Sequence, residues 1–313
     1  MKEIHVQEND AGQRVDRFLM KLFPSLPKGM MYKAIRNKKI KVNRKRCTID
    51  QRLQFQDVVH LFLPPEVLEE KKQADAFLQV PKELDICYED EQILIVDKPV
   101  GLRSQSDAAG PQDCVVMRVL RYLYEQGSYE PHREQSFTPA ICNRLDRNTR
   151  GLIIAAKTAN ALREINAGIR SHQVKKYYLA CIEGKMDREQ EEIQLYHQKI
   201  GTKAQLYAHP HPGAHPCALR YRQLAFYHDA SLLEVELISG KFHQIRAMFA
   251  FMHHPLLGDV KYGAKQRNTY QALAAVRLQF AFPQESTMAY LNNQTIAIPW
   301  EKIEKDWKQQ GIL

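Results

Sequence analysis

The 313-residue chain has no apolar run approaching the roughly 18 residues that a membrane-spanning helix needs. Its first ten residues, MKEIHVQEND, hold no apolar stretch of the signal-peptide kind. These absences point to a soluble, cytoplasmic protein. The patterns GxxxxGKS/T, GxGxxG and HExxH and any paired CxxC are missing, which argues against a nucleotide-driven or zinc-hydrolytic enzyme. Cysteine is sparse: Cys47, Cys87, Cys114, Cys142, Cys181 and Cys217 lie 27 to 40 residues apart, a usage that fits reduced thiols rather than a disulfide framework. No repeat of fixed period is visible.

What is present is 44% apolar residues, enough to fill a core across roughly two domains of about 150 residues each. The net charge of +9 is unevenly spread. Residues Arg14 to Arg52 carry 13 basic and 2 acidic side chains, whereas the rest of the chain carries 32 basic and 34 acidic ones. A near-neutral body therefore bears one basic module, which suits a polyanionic partner, either nucleic acid or an anionic membrane surface. Self-repulsion at that density is costly unless an anion neutralises it, and nucleic acid is favoured over a merely solvated face.

Within the module, Val15, Phe18, Leu19 and Leu22 recur at helical spacing, and a second helix is expected around Met30 to Asn37. Ile40 and Val42 alternate with cations before an Asn-led turn, and Phe55 to Leu63 supplies another strand ended by Pro64-Pro65. The Pro-flanked, mixed-charge stretch 65–82 reads as a linker, giving a module over 12–64, a body over 83–300 and a tail over 301–313. In the body, Ile93 to Val96 and Leu152 to Ala156 read as buried strands, Thr158 as the N-cap of a helix, and Leu233, Val235 and Leu237 as one face of a half-buried strand. Few helices between strands suggest an α+β fold with a mixed, largely antiparallel sheet, preceded by a small α/β module. Trp300, Ile303 and Trp307 share a helical spacing that suits a closing helix.

Two segments draw attention as chemistry. Cys142 to Gly151 packs polar, turn-forming residues between Ile141 and a buried strand, a junction that holds a carboxylate rigidly yet open to a cleft. Taken alone, Asp146 reads as an ordinary loop or capping residue. In Gly240 to Pro255, Ile245, Met248, Phe249 and Met252 form an apolar helical stripe, with His243 and Arg246 as neighbours on another face. That arginine is either a solvated edge or a cation held for a carboxylate or phosphate. His209, His211, His215 and Cys217 offer enough ligands for a metal, but repeated Pro makes the loop extended, and no metal site is expected.

At these segments the chain resembles the RluA family of pseudouridine synthases. Asn143-Arg144-Leu145-Asp146 with Thr149 and Gly151-Leu152 is similar to the motif H-R-L-D-x-x-T-S-G-L, and Gly240 to Arg246 to G-R-T-H-Q-I-R. His254 to Asp259 with Tyr262-Gly263 resembles H-P-x-x-G-D-x-x-Y-G, Lys176 to Ala180 with Gly184 resembles K-x-Y-x-A, and Asp97 to Leu102 resembles N-K-P-x-G-L. These ordered matches cover about 83–283. The basic module resembles the alpha-L RNA-binding domain through Arg14-Val15-Asp16 and Val42-Asn43. Asn143, Arg150, Lys241 and Phe242 depart from the motifs, where the family has His, Ser, Arg and Thr.

The resemblance implies a cofactor-free isomerase of uridines in structured RNA, with large-subunit ribosomal RNA as the first expectation and transfer RNA the second. It implies Asp146 as the essential carboxylate, adding to the anomeric carbon or removing a sugar proton to give a glycal. Arg246 would pair with it, and Tyr178, rather than the adjacent Tyr177, would pack against the flipped uracil, its hydroxyl being also a candidate for moving the C5 proton. Arg144, Arg147 and His243 would touch RNA beside the site, Arg144 and Arg147 being equally readable as surface cations. Arg14, Arg17, Lys33, Arg36, Lys38, Lys39, Lys41, Arg44, Lys45 and Arg46 would bind phosphates. A monomer is expected. The rival reading is an RNA-binding protein that keeps the fold without the activity, for which Asn143 and Arg150 are the hints.

Overall fold

The structure is a computed structural model that describes residues 1–69, 75–106, 112–131, 136–265 and 270–312. Its N-terminal part comprises β1 (Lys2–His5), α1 (Val15–Leu22), α2 (Lys28–Arg36), β2 (Ile40–Val42), β3 (Lys45–Arg46) and β4 (Val58–Leu61). The strands form an antiparallel sheet in the order β1-β4-β2-β3. Val15, Phe18, Leu19 and Leu22 are buried, as their spacing requires, and pack with Met31 and Ile35 of α2 against Ile40, Val42, Val59 and Leu61. Two boundaries move. Lys2–His5 pairs with β4 and buries Ile4, so this unit begins before residue 12. β4 is shorter than 55–63 because Gln56 takes a positive φ in a turn closed by Asp57, leaving Phe55 exposed.

The stretch expected to be a linker is tied down at both ends. Leu68 joins the N-terminal core, and Phe77 packs edge-on against Tyr124 in the body, 5.6 Å between centroids. Its residues 70–74 lie outside the described part.

The body is an eleven-stranded sheet: β5 (Asp85–Glu89), β6 (Ile93–Lys98), β7 (Ala140–Ile141), β8 (Arg150–Ala156), β9 (Val174–Glu183), β10 (Gln190–Ile200), β11 (Lys203–Tyr207), β12 (His215–Tyr227), β13 (Ala230–Leu237), β14 (Leu273–Phe280) and β15 (Thr295–Ala297). The main order is β11-β10-β12-β13-β9-β14-β8-β6-β5, and among the described strands only β14 with β8 is parallel. Four helices, α3 (Val115–Glu125), α4 (Ala159–Arg170), α5 (Gln244–Phe251) and α6 (Trp300–Gln309), cover it. The continuous apolar runs of β6 and β8 follow from this layering, since successive residues point to opposite faces. Leu94, Val96, Ile153 and Ala155 pack on the side of α3 and α5. Ile93, Ile95, Leu152 and Ile154 pack on the side of α4 and α6, where Ile303 and Trp307 close the core. Thr158 caps α4, its hydroxyl accepting from the Ala161 amide at 3.1 Å.

The N-terminal unit is docked on the body. Asn9 Oδ1 accepts the Ala159 amide at the start of α4 (3.1 Å), buried Asp10 accepts the Ser136 hydroxyl, and Arg163 donates to the Ala11 carbonyl.

Candidate active site

The loop between β7 and β8 is held by side chains that the sequence supplies locally. The Asn143 amide donates to the Leu152 carbonyl (3.1 Å) and accepts from the Ile154 amide (2.8 Å), sewing the loop to β8. Ser104 Oγ donates to the Leu145 carbonyl and accepts its amide. Buried Lys98 donates to the carbonyls of Pro99, Leu102 and Arg147 at 2.8–3.0 Å, so it ties the turn after β6 to the loop. Burial pushes its ammonium down, to about 7, while the Asp146 and Asp97 carboxylates favour its charge. Gly151 has φ +132°, and a Cβ there would stand 2.2 Å from the Ala275 carbonyl oxygen, which is why β8 can run so close beside β14.

Asp146, with 24% of its side chain exposed, leaves this loop toward α5. Arg246 Nη1 donates to its Oδ2 at 2.8 Å. The other edge of the guanidinium forks onto Asp259, Nε to Oδ2 at 2.7 Å and Nη2 to Oδ1 at 2.9 Å, with Asp259 only 1% exposed. The fork fixes the plane of Arg246, so Nη1 can aim only at Asp146. Burial opposes the charge on Arg246, but the two carboxylates outweigh it and hold the guanidinium protonated.

Tyr178 is buried on β9, and burial together with the Asp146 charge pushes its hydroxyl pKa up. Tyr177 turns the other way, stacked on the Arg277 guanidinium at 3.8 Å. His243 sits at the N-cap of α5 with φ 52°. Its Nδ1 is 2.9 Å from the Tyr262 hydroxyl, and its Nε2 is 3.7 Å from Asp146 Oδ2. Tyr262 already accepts the Ala204 amide at 2.8 Å, leaving its own proton for Nδ1. The facing carboxylate independently favours a proton on Nε2, and the tautomer that serves both contacts is a neutral imidazole with its N–H toward the site. Burial, with Arg246 and Lys261 nearby, pushes His243 down to about 4 against the pull of Asp146. Between its free value of 6.5 and about 4 the unfolded chain binds the proton first, so acidification through that window lowers stability.

Two well-formed hollows lie elsewhere, about 410 Å³ against Tyr177 and Arg220 and about 540 Å³ against Asp97 and Arg150. Neither includes Asp146, whose side chain is 24% exposed. Arg144 and Arg147 are exposed beside it, Arg147 also donating to the Gly101 carbonyl. In the N-terminal unit Arg17, Lys33, Arg36, Lys38, Lys39, Arg44, Lys45 and Arg46 are exposed. Lys41 lies over Phe62, and Arg14 forks onto Asp16, which gives these two cations a structural use. In the His-rich loop His211 stacks on Tyr207 and the Cys217 thiol turns inward to the Leu195 carbonyl. Among the described residues no three potential ligands converge.

A carboxylate gripped by a buried, forked arginine beside a buried tyrosine is the arrangement the motifs imply, and residues 92–251 match the RNA pseudouridylate synthase family. The chain belongs to that family. It is 30% identical to the ribosomal large subunit pseudouridine synthase C of Vibrio cholerae, over 90% of this chain and 89% of that one. It is 32% identical to an uncharacterized RNA pseudouridine synthase of Mycoplasma capricolum, over 95% and 97%. The fold is shared with human RNA pseudouridylate synthase domain containing 4, at a TM-score of 0.54 and 19% identity over 68% of this chain and 87% of that one.

The synthase explains two of its own departures from the family motifs. Asn143 holds β8, as described. Arg150 forks onto Asp97, 2.7 Å from Nη2 to Oδ2, and Asp97 is itself a departure, standing where the motif has Asn. The two changes compensate each other, and neither touches Asp146. Arg150→Ser alone is expected to strand a buried carboxylate and lower stability by about 3 kcal/mol. The double variant Asp97→Asn/Arg150→Ser is expected to recover most of that in urea unfolding, and an unrecovered double variant would refute the compensation.

Sequence reasoning assigned no role to Asp259, Tyr262, Ser104 or Lys98. Lys98, Asp259 and Tyr262 lie inside family motifs, but nothing in the spacing says that a carboxylate 13 residues away forks the arginine.

Proposed function

We propose that the synthase isomerises uridines of large-subunit ribosomal RNA, with Asp146 acting on the ribose. The observation that carries this reading is the grip of Arg246 on Asp146, with the arginine itself held by buried Asp259. The reaction breaks the bond between uracil N1 and the ribose C1′ and rejoins the base through C5. The C5 proton is lost and N1 gains one, with no change in oxidation state, so the balance calls for no cofactor. Asp146 serves ionised, either adding to C1′ or taking a sugar proton to give a glycal. A base bound over it removes water and disfavours its charge, and the adjacent guanidinium counters that effect.

Tyr178 is the platform for the flipped uracil. Its raised pKa keeps the phenol protonated at neutral pH, so burial favours this packing role over that of a base for the C5 proton. The Nε2–H of His243 is a neutral donor for a substrate oxygen beside Asp146. A stacked uridine must be extruded at a few kcal/mol, and phosphate contacts from the exposed cations of the N-terminal unit help to hold the RNA while that happens. The large subunit is favoured because relatives from Vibrio cholerae and Vibrio parahaemolyticus are ribosomal large subunit pseudouridine synthases.

The test supplies the protein with large-subunit RNA or transfer RNA carrying tritium at uridine C5. Release from the large-subunit RNA is expected. Release from transfer RNA alone overturns the target, and release from neither, with protein that binds both, favours the non-catalytic reading.

A further inference from the structure

β9 alternates buried and outward residues, so Lys176 shares the inward face with Tyr178, one strand step of about 7 Å away. Only 9% of Lys176 is exposed, yet among the described residues its ammonium has neither a hydrogen bond nor an ion pair. The contrast with Lys98, also buried, is plain, since that ammonium satisfies all three donors on carbonyls. Lys176 Nζ lies beside Gly240, where a Cβ would stand 3.5 Å from it. The missing side chain leaves the ammonium a way out to the turn that leads into His243. Two more cations flank this turn: Lys241 is exposed, and Lys199 lies 4.8 Å above the Phe242 ring.

We propose that Lys176 binds a backbone phosphate of the nucleotide whose base is turned onto Tyr178, the phosphate entering beside Gly240. The inference rests on the synthase reading and adds to it the residue that anchors the reacting nucleotide. An ammonium largely withdrawn from water and without a protein partner is unfavourable in the free protein, although Nζ itself still reaches solvent. Burial pushes its pKa down, and among the described residues no carboxylate lies near enough to restore it. A fixed negative charge arriving with the substrate supplies the missing partner. RNA brings such a charge at every nucleotide, and the position one strand step from the platform suits the phosphate of the flipped residue itself. The cost in the free enzyme is thereby returned on binding, which ties affinity to correct seating of that nucleotide.

The test compares the full-length parent with Lys176→Met and Lys176→Arg by equilibrium binding to a large-subunit RNA transcript between 0.05 and 0.3 M salt, values of roughly the range over which phosphate contacts are read. Lys176→Met is expected to melt at or above the parental temperature and to bind about tenfold more weakly at the low-salt end. The slope of log affinity against log salt should flatten by about one, and Lys176→Arg should restore it. An unchanged slope, or a Met variant that melts lower, overturns the proposal by making Lys176 a structural residue. The slope is read without turnover, so a parent that binds but releases no tritium counts against the target reading alone.

Discussion

Asp146→Asn is expected to abolish tritium release, by about 10⁴-fold or more, the scale on which enzymes lose rate when an essential reacting group is removed. The amide keeps the shape and one acceptor for Arg246 but can neither add to C1′ nor take a proton from the sugar. Folding should survive, because the side chain is partly exposed and Arg246 retains its fork on Asp259. Asp146→Glu separates charge from placement. It keeps the carboxylate but moves it by about one methylene, and displacement of about 1 Å can cost roughly 10²-fold. Single-turnover rates with circular dichroism as a control decide the matter. An Asn variant that keeps a tenth of the parental rate removes Asp146 from the chemistry.

Asp259→Asn is expected to produce the largest loss of stability together with a loss of rate. The carboxylate is almost wholly buried and carries two of the three hydrogen bonds of Arg246. Neutralising it leaves a buried guanidinium with one partly exposed partner, a change of about 3–5 kcal/mol, or a fall in Tm of about 10 °C in a body of this size. The rate should fall as well, since Arg246 is then free to rotate away from Asp146. Arg246→Lys is the companion: it keeps the charge and discards the fork, so turnover should drop although the ion pair can still form. A lysine variant that matches the parent in rate and in pH profile would show that charge alone matters and would end the argument from geometry.

Local signals carried the parts of this fold that depend on neighbours in the chain. The stripe Val15, Phe18, Leu19, Leu22 became α1, Thr158 became a cap, and Ile245, Met248 and Phe249 became the buried side of α5. Features set by distant partners did not announce themselves. β1 is four residues long and exists because β4 pairs with it 53 to 59 residues later. α3 has its own buried stripe, Val115, Val119, Leu120 and Leu123, but the polar, glycine-containing stretch before it masks the helical signal. In the site, the resemblance to family motifs rather than periodicity singled out Asp146, Tyr178 and Arg246. The order of their contacts was illegible, because Arg246 lies 100 residues from Asp146 and its fixing carboxylate reads as a turn residue. Asp97 and Arg150 likewise looked like separate irregularities until their pairing joined them.

The close approach at Gly151 has a bearing on how this enzyme can diverge. Every single-step replacement there adds at least a methyl group, which would collide with the Ala275 peptide, so the pivot between the reacting loop and its strand is closed to drift. Variation is diverted to the flanks, to positions such as 143 and 150, where new side chains can rewire the scaffold while the acid at 146 keeps its aim. Lineages can thus retune stability around a fixed pivot without moving the loop that carries Asp146.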